Sequence, residues 1–474
     1  MKKIVKKVAI LCLSVLSLAC FSACNSCGGE VEQPKVEIVY TLVEGGYSVS
    51  LSKGSPTTEF TVEVPELRDG LPVVEVAEKG FANRMFLVGV SLPSTIKNIG
   101  DEAFANTGIK TITLPSSVEK VGKYAFGGCK NINEVILLGE VNDWFNIQFG
   151  VGKLADDVIE SYGYDLYSSN PLYLGATLKL KNGETINNVD KITVPSSVDK
   201  IGVAQFYGFK VNEIVFEEGL TEIGEGAFAF TTNVTKIVLP NSLTKIGASA
   251  FNSSSISEIE IGEGVEIIEK DAFYCSDLTS VTIPDSVTKI GMRAFQGCTK
   301  LKTVSLGAKV DKINSYTFAD SGLIEITIPE TVKEIGEFAF VSARSLKTVN
   351  FSEGLEKICQ NAFAECSAIE KIKLPTSLIT VETSIFYACT SLKTLDFGDG
   401  IAEIPNQTAH GCTSLVNIRI NKKIKYINQS AFASCDAIKN VYYTGTKIEW
   451  DNVWIGIDND ELKADAVTIH YMAN

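Results

Sequence analysis

A chain of 474 residues with 45% hydrophobic and 21% charged residues has the composition of a folded protein, long enough for several domains or for one extended array. Its formal charge is −14, and removal of residues 1–23, which hold Lys2, Lys3, Lys6 and Lys7 but no acid, leaves 39 Lys and Arg against 57 Asp and Glu, or −18. Such a surface repels phosphate backbones and anionic headgroups, so the composition speaks against nucleic-acid binding and names no other partner.

The first element in chain order is an export signal. Four lysines precede an apolar run from Val8 to Phe21, too short to span a bilayer comfortably and followed by small residues. Phe21-Ser22-Ala23-Cys24 has the form of a bacterial lipobox, which makes Cys24 the expected lipidation site; Ser17-Leu18-Ala19-Cys20 fits less well because of its polar third-last residue. Residues 1–23 are then the signal and 24–36 a tether, and the expected product is exported and lipid-anchored to the cell envelope, facing outward.

From Val73 onward the chain repeats itself, as a comparison of IKTITLPSSVEKVGKYAFGGC (109–129) with LTSVTIPDSVTKIGMRAFQGC (278–298) shows. A landmark Phe recurs at steps of 22 or 23 residues, from Phe81, Phe104 and Phe126 through Phe206 to Phe386 and Phe432, with one interval of 80 and with Ala409 in one Phe slot. The predicted architecture is a β-rich solenoid of about 14 coils with little helix and one short parallel strand per coil. LxxIxLP supplies the strand, SVxxIG returns along the opposite side, and AFxxC packs inward. No coil can bury its own apolar edge, so stacking must join these edges into one column. A longer period of 44–46 residues, marked by Pro195, Pro240, Pro284, Pro329 and Pro375, alternates with FEEG, IGEG, FSEG and FGDG turns and indicates duplication of a coil pair. The predicted segments are 37–137 (opening cap and first block), 138–190 (an island), 191–440 (main block) and 441–474 (closing cap).

These residues resemble the BspA-like, treponemal-type leucine-rich repeats, whose pattern is close to LxxIxLPxSVxxIGxxAFxxCxx, and the match runs from about residue 59 to residue 443. VEVPELRDGLPVVEV (62–76) is similar to that family's opening coil, and VYYTGTKIEWDNVWIG (441–456) with AVTIHY (466–471) to its closing cap. The island looks like an insertion of the same family, a cap-like turn around Trp144 followed by a new opening coil, with Trp144 in the role of Trp450. The resemblance implies a leucine-rich-repeat solenoid on the cell surface that binds extracellular or host proteins. It carries over no binding residue, catalytic residue, metal or cofactor.

Alternation along the strands places Thr111, Thr113, Lys191, Thr193, Glu258, Glu260, Thr303, Ser305, Glu325, Thr327, Lys371, Lys373, Asn417 and Arg419 on the outward side, which is the candidate ligand face. As read from the sequence, this face has no aromatic platform and no block of one charge, which favours a broad protein-binding surface over sugar stacking. Cys129, Cys275, Cys298, Cys366, Cys389, Cys412 and Cys435 follow the landmark and are expected as buried thiols in a packing slot. His410, beside Ala409, is expected to fill part of the missing Phe volume. The run Asp458 to Glu461 is expected as a solvated turn, and Trp450, Trp454 and Tyr471 as a cover for the open end. No Ser, Cys or His stands at a catalytic spacing, so an enzyme has no positive support. The alternative to a ligand-binding protein is a non-catalytic envelope scaffold that associates with itself.

Overall fold

The computed structural model describes residues 36–54, 56–150 and 168–472; the expected signal, Cys24 and the tether up to residue 35 lie outside these. The chain winds into a β-solenoid of about 16 turns. Counting Phe landmarks gives fewer, because the turns that carry Glu134–Leu137 and Thr177–Leu180 at the island, and the closing turns after Phe432, are built without one. Each regular turn contributes two short strands rather than the single strand expected. On one wall, Thr111–Leu114 and Glu134–Leu137 pair in parallel and in register, Ile112 beside Val135. On the opposite wall the Lys-Ile dipeptides of SVxxIG also extend and pair, as in the five-stranded sheet running from Lys200–Ile201 to Lys289–Ile290. Helix among the described residues is confined to Val141–Phe145, Lys447–Asp451 and the 3-10 turn Asp460–Lys463.

The third side is a stack of AFxxC turns. Backbone hydrogen bonds join them, with the Phe228 amide donating to Ala250 O at 2.7 Å and Phe273 to Ala294 O at 2.8 Å. A left-handed residue flanks the landmark on each side, for example Asp271 (φ 56°) and Cys275 (φ 53°) around Phe273. Two such residues fold the turn tightly enough to drive the Phe inward. The Gly of SVxxIG is required by close approach: a Cβ on Gly247 would lie 2.5 Å from Ile223 O of the preceding coil.

From Phe206 to Phe386 the landmark rings form a continuous stack, with centroids 5.4 Å apart for Phe228 and Phe251, 5.3 Å for Phe251 and Phe273, and 5.2 Å for Phe273 and Phe295, in nearly parallel planes. Each ring is fully buried, which stabilises the fold by roughly 2–3 kcal/mol per ring. The slot at Ala409 is compensated differently from expectation. Phe397 turns fully inward and meets Phe432 edge-on at 6.2 Å. His410 instead stacks outside the spine on Tyr387 at 5.1 Å, since its position follows the landmark and points away from the core.

At the island, strand Thr177–Leu180 pairs with Glu134–Leu137, and strand Asn188–Val194 pairs with Lys210–Phe216, but the sheet order ends between the two pairs. The gap is bridged by side chains. Trp144, 1% exposed, donates its Nε1–H to Gln205 O at 2.8 Å, and Gln205 Nε2 donates back to Trp144 O. Asn170 Nδ2 donates to Ala204 O at 2.9 Å. Trp144 sits on a short helix closed by a capping box of Glu140 and Asp143, and Trp450 on one closed by Thr446 and Glu449.

The C-terminal end is closed by residues expected to form only a solvated turn. The AFxxC ladder would leave the amides of Ser430, Phe432 and Ser434 without partners. Ile457 O takes the first, Asn459 Oδ1 the second at 3.0 Å, and Glu461 Oε1 the third at 2.6 Å. Asn459 is fully buried and its Nδ2 donates to Asn428 O and Gly456 O. Of the expected aromatic cover, Trp450 packs on Tyr443 with centroids 5.2 Å apart. Trp454 does not join it. It is 53% exposed on the return wall, beside Tyr426, because it continues the outward register of that wall.

Candidate binding face

Along the strand wall every predicted ligand-face residue is on the outward side. Thr111 and Thr113 flank buried Ile112, Glu258 and Glu260 flank Ile259, Glu325 and Thr327 flank Ile326, and Lys371 and Lys373 flank Ile372. Parallel register lines these up across coils: Thr303 and Ser305 beside Ser280 and Thr282, Thr327 beside Asn350, and Lys373, Asp396 and Arg419 in one column. Lys191 and Thr193 lie beside Glu213 and Val215, and Asn417 beside Thr394.

The face has three chemical stretches. Near the island, charges pair with one another, Lys191 with Glu213 at 2.9 Å and Lys236 with Glu260 at 2.7 Å; the Glu260 carboxylate raises the Lys236 pKa. The middle stretch, from Ser280 to Asn350, presents hydroxyls and amides with the single carboxylate of Glu325. Beyond it stand the exposed ammonium groups of Lys371 and Lys373, then Asp396 and Arg419, joined at 3.0 Å. The expectation of no aromatic platform is overturned at the last two strands. Tyr442 and His470 occupy the same outward column as Arg419 and stack with centroids 4.7 Å apart. The signal was in the sequence: carrying the two-residue alternation on into VYY and TIHY places both rings outward, but those segments read as cap rather than face.

The return wall differs. Lys200, Glu222 and Lys245 alternate in sign, with contacts of 3.2 and 2.9 Å, as do Lys312 with Glu334 at 2.9 Å and Lys357 with Glu382 at 2.7 Å. These lysines pull the pKa of Glu222 and Glu334 down. At these positions opposite charges on successive coils pair with one another, while Lys289, followed by Lys312 on the next coil, pairs instead with Glu269 at 3.3 Å. The pair-of-coils duplication explains the acidic turns: Glu218 accepts the amides of Asn241 and Ser242 in the next Pro-containing coil, and Glu353 those of Thr376 and Ser377.

All described cysteines are free thiols. Cys298, Cys366, Cys389 and Cys412 are buried and donate to the landmark carbonyl of the preceding coil at 3.0–3.2 Å. Burial pushes the Cys298 thiol up to about 12. Cys275 breaks the expectation. It sits one residue short of the slot, which Ser276 fills, and its side chain is exposed. Among the described residues no group of three or more His, Cys, Asp and Glu could hold a metal ion, and no described helix is long and apolar enough to cross a membrane.

A capped parallel solenoid with one strand wall open along its length defines a leucine-rich-repeat protein. Residues 72–160, 184–302, 266–367 and 334–452 match the family described as the BspA type leucine rich repeat region (6 copies), and the chain belongs to that family. Among solved structures, a leucine-rich repeat protein from Bacteroides ovatus is 20% identical, with a TM-score of 0.51 over 86% of this chain and 98% of that one. A leucine rich cell surface protein from Faecalibacterium prausnitzii is 18% identical, with a TM-score of 0.42 over 91% and 98%. The pneumococcal vaccine antigen PcpA is 20% identical, with a TM-score of 0.38 over 94% and 97%. No curated protein sequence matches the chain.

Proposed function

We propose that this protein is an exported, lipid-anchored cell-surface protein that binds extracellular proteins, in the manner of an adhesin or receptor, through the strand wall, and that it is not an enzyme. The observation that carries this is the contrast between the two walls. The return wall pairs charges between neighbouring coils at Lys200, Glu222 and Lys245, at Lys312 and Glu334, and at Lys357 and Glu382, whereas the strand wall from Ser280 to Lys373 leaves hydroxyl, amide and ammonium groups facing solvent in register. Flat polar ladders of this kind serve repeat proteins as extended contact surfaces. Membership of a family with neighbours described as cell-surface proteins supports export, and the lipobox at Cys24 supplies the anchor.

Binding of residues 30–474 to immobilised host matrix proteins tests the reading. Saturable binding that Lys371→Glu with Lys373→Glu weakens, and that Lys312→Glu on the return wall leaves alone, is the expected result. Absence of binding to every matrix protein tried would count against it. For the anchor, Cys24→Ala abolishes palmitate labelling in cells; labelling that persists points to Cys20.

A further inference from the structure

We propose that the C-terminal end of the strand wall binds the ring of a neutral saccharide, stacked on Tyr442 and hydrogen-bonded by Asp396 and Asn417. This ligand class goes beyond the protein ligand proposed above and does not rest on it.

Asp396, Arg419, Tyr442 and His470 stand in one column on four adjacent strands. One face of the Tyr442 ring is covered by His470, in planes 14° apart. Arg419, next to Tyr442 in the column, turns its guanidinium toward the preceding coil: its Nη1 donates to Asp396 Oδ1 at 3.0 Å and Gly398 O at 3.3 Å, and its Nη2 to Asp399 Oδ1 at 3.0 Å. These side chains border a cleft of about 390 Å³ lined by Thr394, Asp396, Asn417, Arg419, Tyr442 and Met472.

The polar groups around this cleft are oriented by their neighbours. Asn440 Nδ2 donates to Asn417 Oδ1 at 2.9 Å, so Asn440 Oδ1 is the acceptor for His470 Nε2 at 3.0 Å. The chain of amides thus runs one way and leaves the Nδ2 hydrogens of Asn417 without an acceptor among the described residues. Asp396 Oδ1 already accepts from Arg419 and from the Gly398 amide, which leaves Oδ2 as a free acceptor. A fixed amide donor, a fixed carboxylate acceptor and an open ring face are what a pyranose needs: one hydroxyl donates, its neighbour accepts, and the C–H face lies on the aromatic ring. Two carboxylates, Asp396 and Asp399, surround one guanidinium, so an acidic sugar is disfavoured and a neutral one fits.

The test is binding of the mature chain to an array of neutral hexasaccharides of glucose, mannose and galactose and of N-acetyllactosamine chains, followed by saturation-transfer NMR. The expected result is binding by at least one glycan, with transfer concentrated on the C–H groups of one ring face. Tyr442→Ala weakens it roughly tenfold, while Tyr442→Phe keeps it. Asp396→Asn also weakens it, and Lys312→Glu on the return wall leaves it unchanged. Melting temperatures of the variants separate lost contacts from lost structure, and Tyr442, being 37% exposed, can be truncated without opening the core. The proposal is overturned if no glycan on the array binds, if Tyr442→Ala binds like the parent, or if an oligolysine peptide occupies the cleft in a Tyr442-dependent way while glycans do not. Matrix-protein binding that survives Tyr442→Ala keeps the two proposals apart.

Discussion

A landmark phenylalanine stabilises the solenoid through the rings on either side of it. Phe295 lies 5.2 Å from Phe273 and 5.5 Å from Phe318, so Phe295→Ala removes two stacking contacts and opens a cavity that neighbouring coils cannot close. We expect a loss of about 3–5 kcal/mol in urea unfolding, against a smaller loss for Phe81→Ala, whose ring stacks only on Phe104 among the described rings. The thiols make a second residue-scale prediction. Buried Cys298, Cys366, Cys389 and Cys412 are held as neutral donors to carbonyls, and a neutral thiol is a poor nucleophile. Iodoacetamide at neutral pH should therefore modify Cys275 alone among the cysteines of residues 36–472, as read by peptide mass mapping; labelling of Cys298 in the native protein would contradict the packing. A third concerns acid. The backbone amides of Asn241 and Ser242 lower the pKa of Glu218, and those of Thr376 and Ser377 that of Glu353. A carboxylate whose folded pKa lies below its unfolded one stabilises the fold above the ordinary carboxylate range, and that contribution is lost as pH falls through the lowered pKa. The melting temperature should drop on acidification below about pH 4. A Glu218→Gln, Glu353→Gln variant should melt lower at neutral pH and lose less on acidification, a comparison that calorimetry reads directly.

At the scale of elements, the seams and ends carry the polar work that the repeat itself does not need. Asn459 supplies the central contact of a missing coil: its Oδ1 takes the Phe432 amide and its Nδ2 holds Asn428 O and Gly456 O, with the residue itself buried. Asn459→Ala strands those groups, and we expect a cost of about 2–3 kcal/mol, with amide exchange accelerating first at Phe432 and Ser434; exchange that speeds up evenly along the chain would contradict local fraying. The regular coils were legible in the sequence because period, alternation and the landmark Phe all state the same contact. The strand-wall residues, from Thr111 to Arg419, could be placed outward from alternation alone. What escaped were residues whose role depends on breaking the period. Phe397 fills the Ala409 slot from the strand side of the same coil, Cys275 misses its slot by one position, and Asn459 and Glu461 act through side chains where other coils use carbonyls. The second strand of each coil was hidden for another reason. Two extended residues between turns carry too little alternation to register as a strand, and they pair only because stacking brings them together.

For the molecule as a whole, the architecture separates a spine that stabilises from a wall that remains open. Burial, thiols, backbone ladders and end caps all serve the spine, and the charge pairs of the return wall serve themselves. Among the described residues, the strand wall from Ser280 to Lys373 leaves a run of registered polar groups facing solvent. The most direct measurement is therefore steric. In a Cys275→Ser background, a single cysteine is introduced at Thr327 on the strand wall or at Lys333 beside the return wall, and each variant is coupled to a polyethylene glycol maleimide. Adhesion of beads carrying the coupled protein to immobilised host matrix protein is then compared. The account predicts that modification at 327 abolishes adhesion while modification at 333 leaves it intact; equal adhesion by both, or loss at 333 alone, would contradict it.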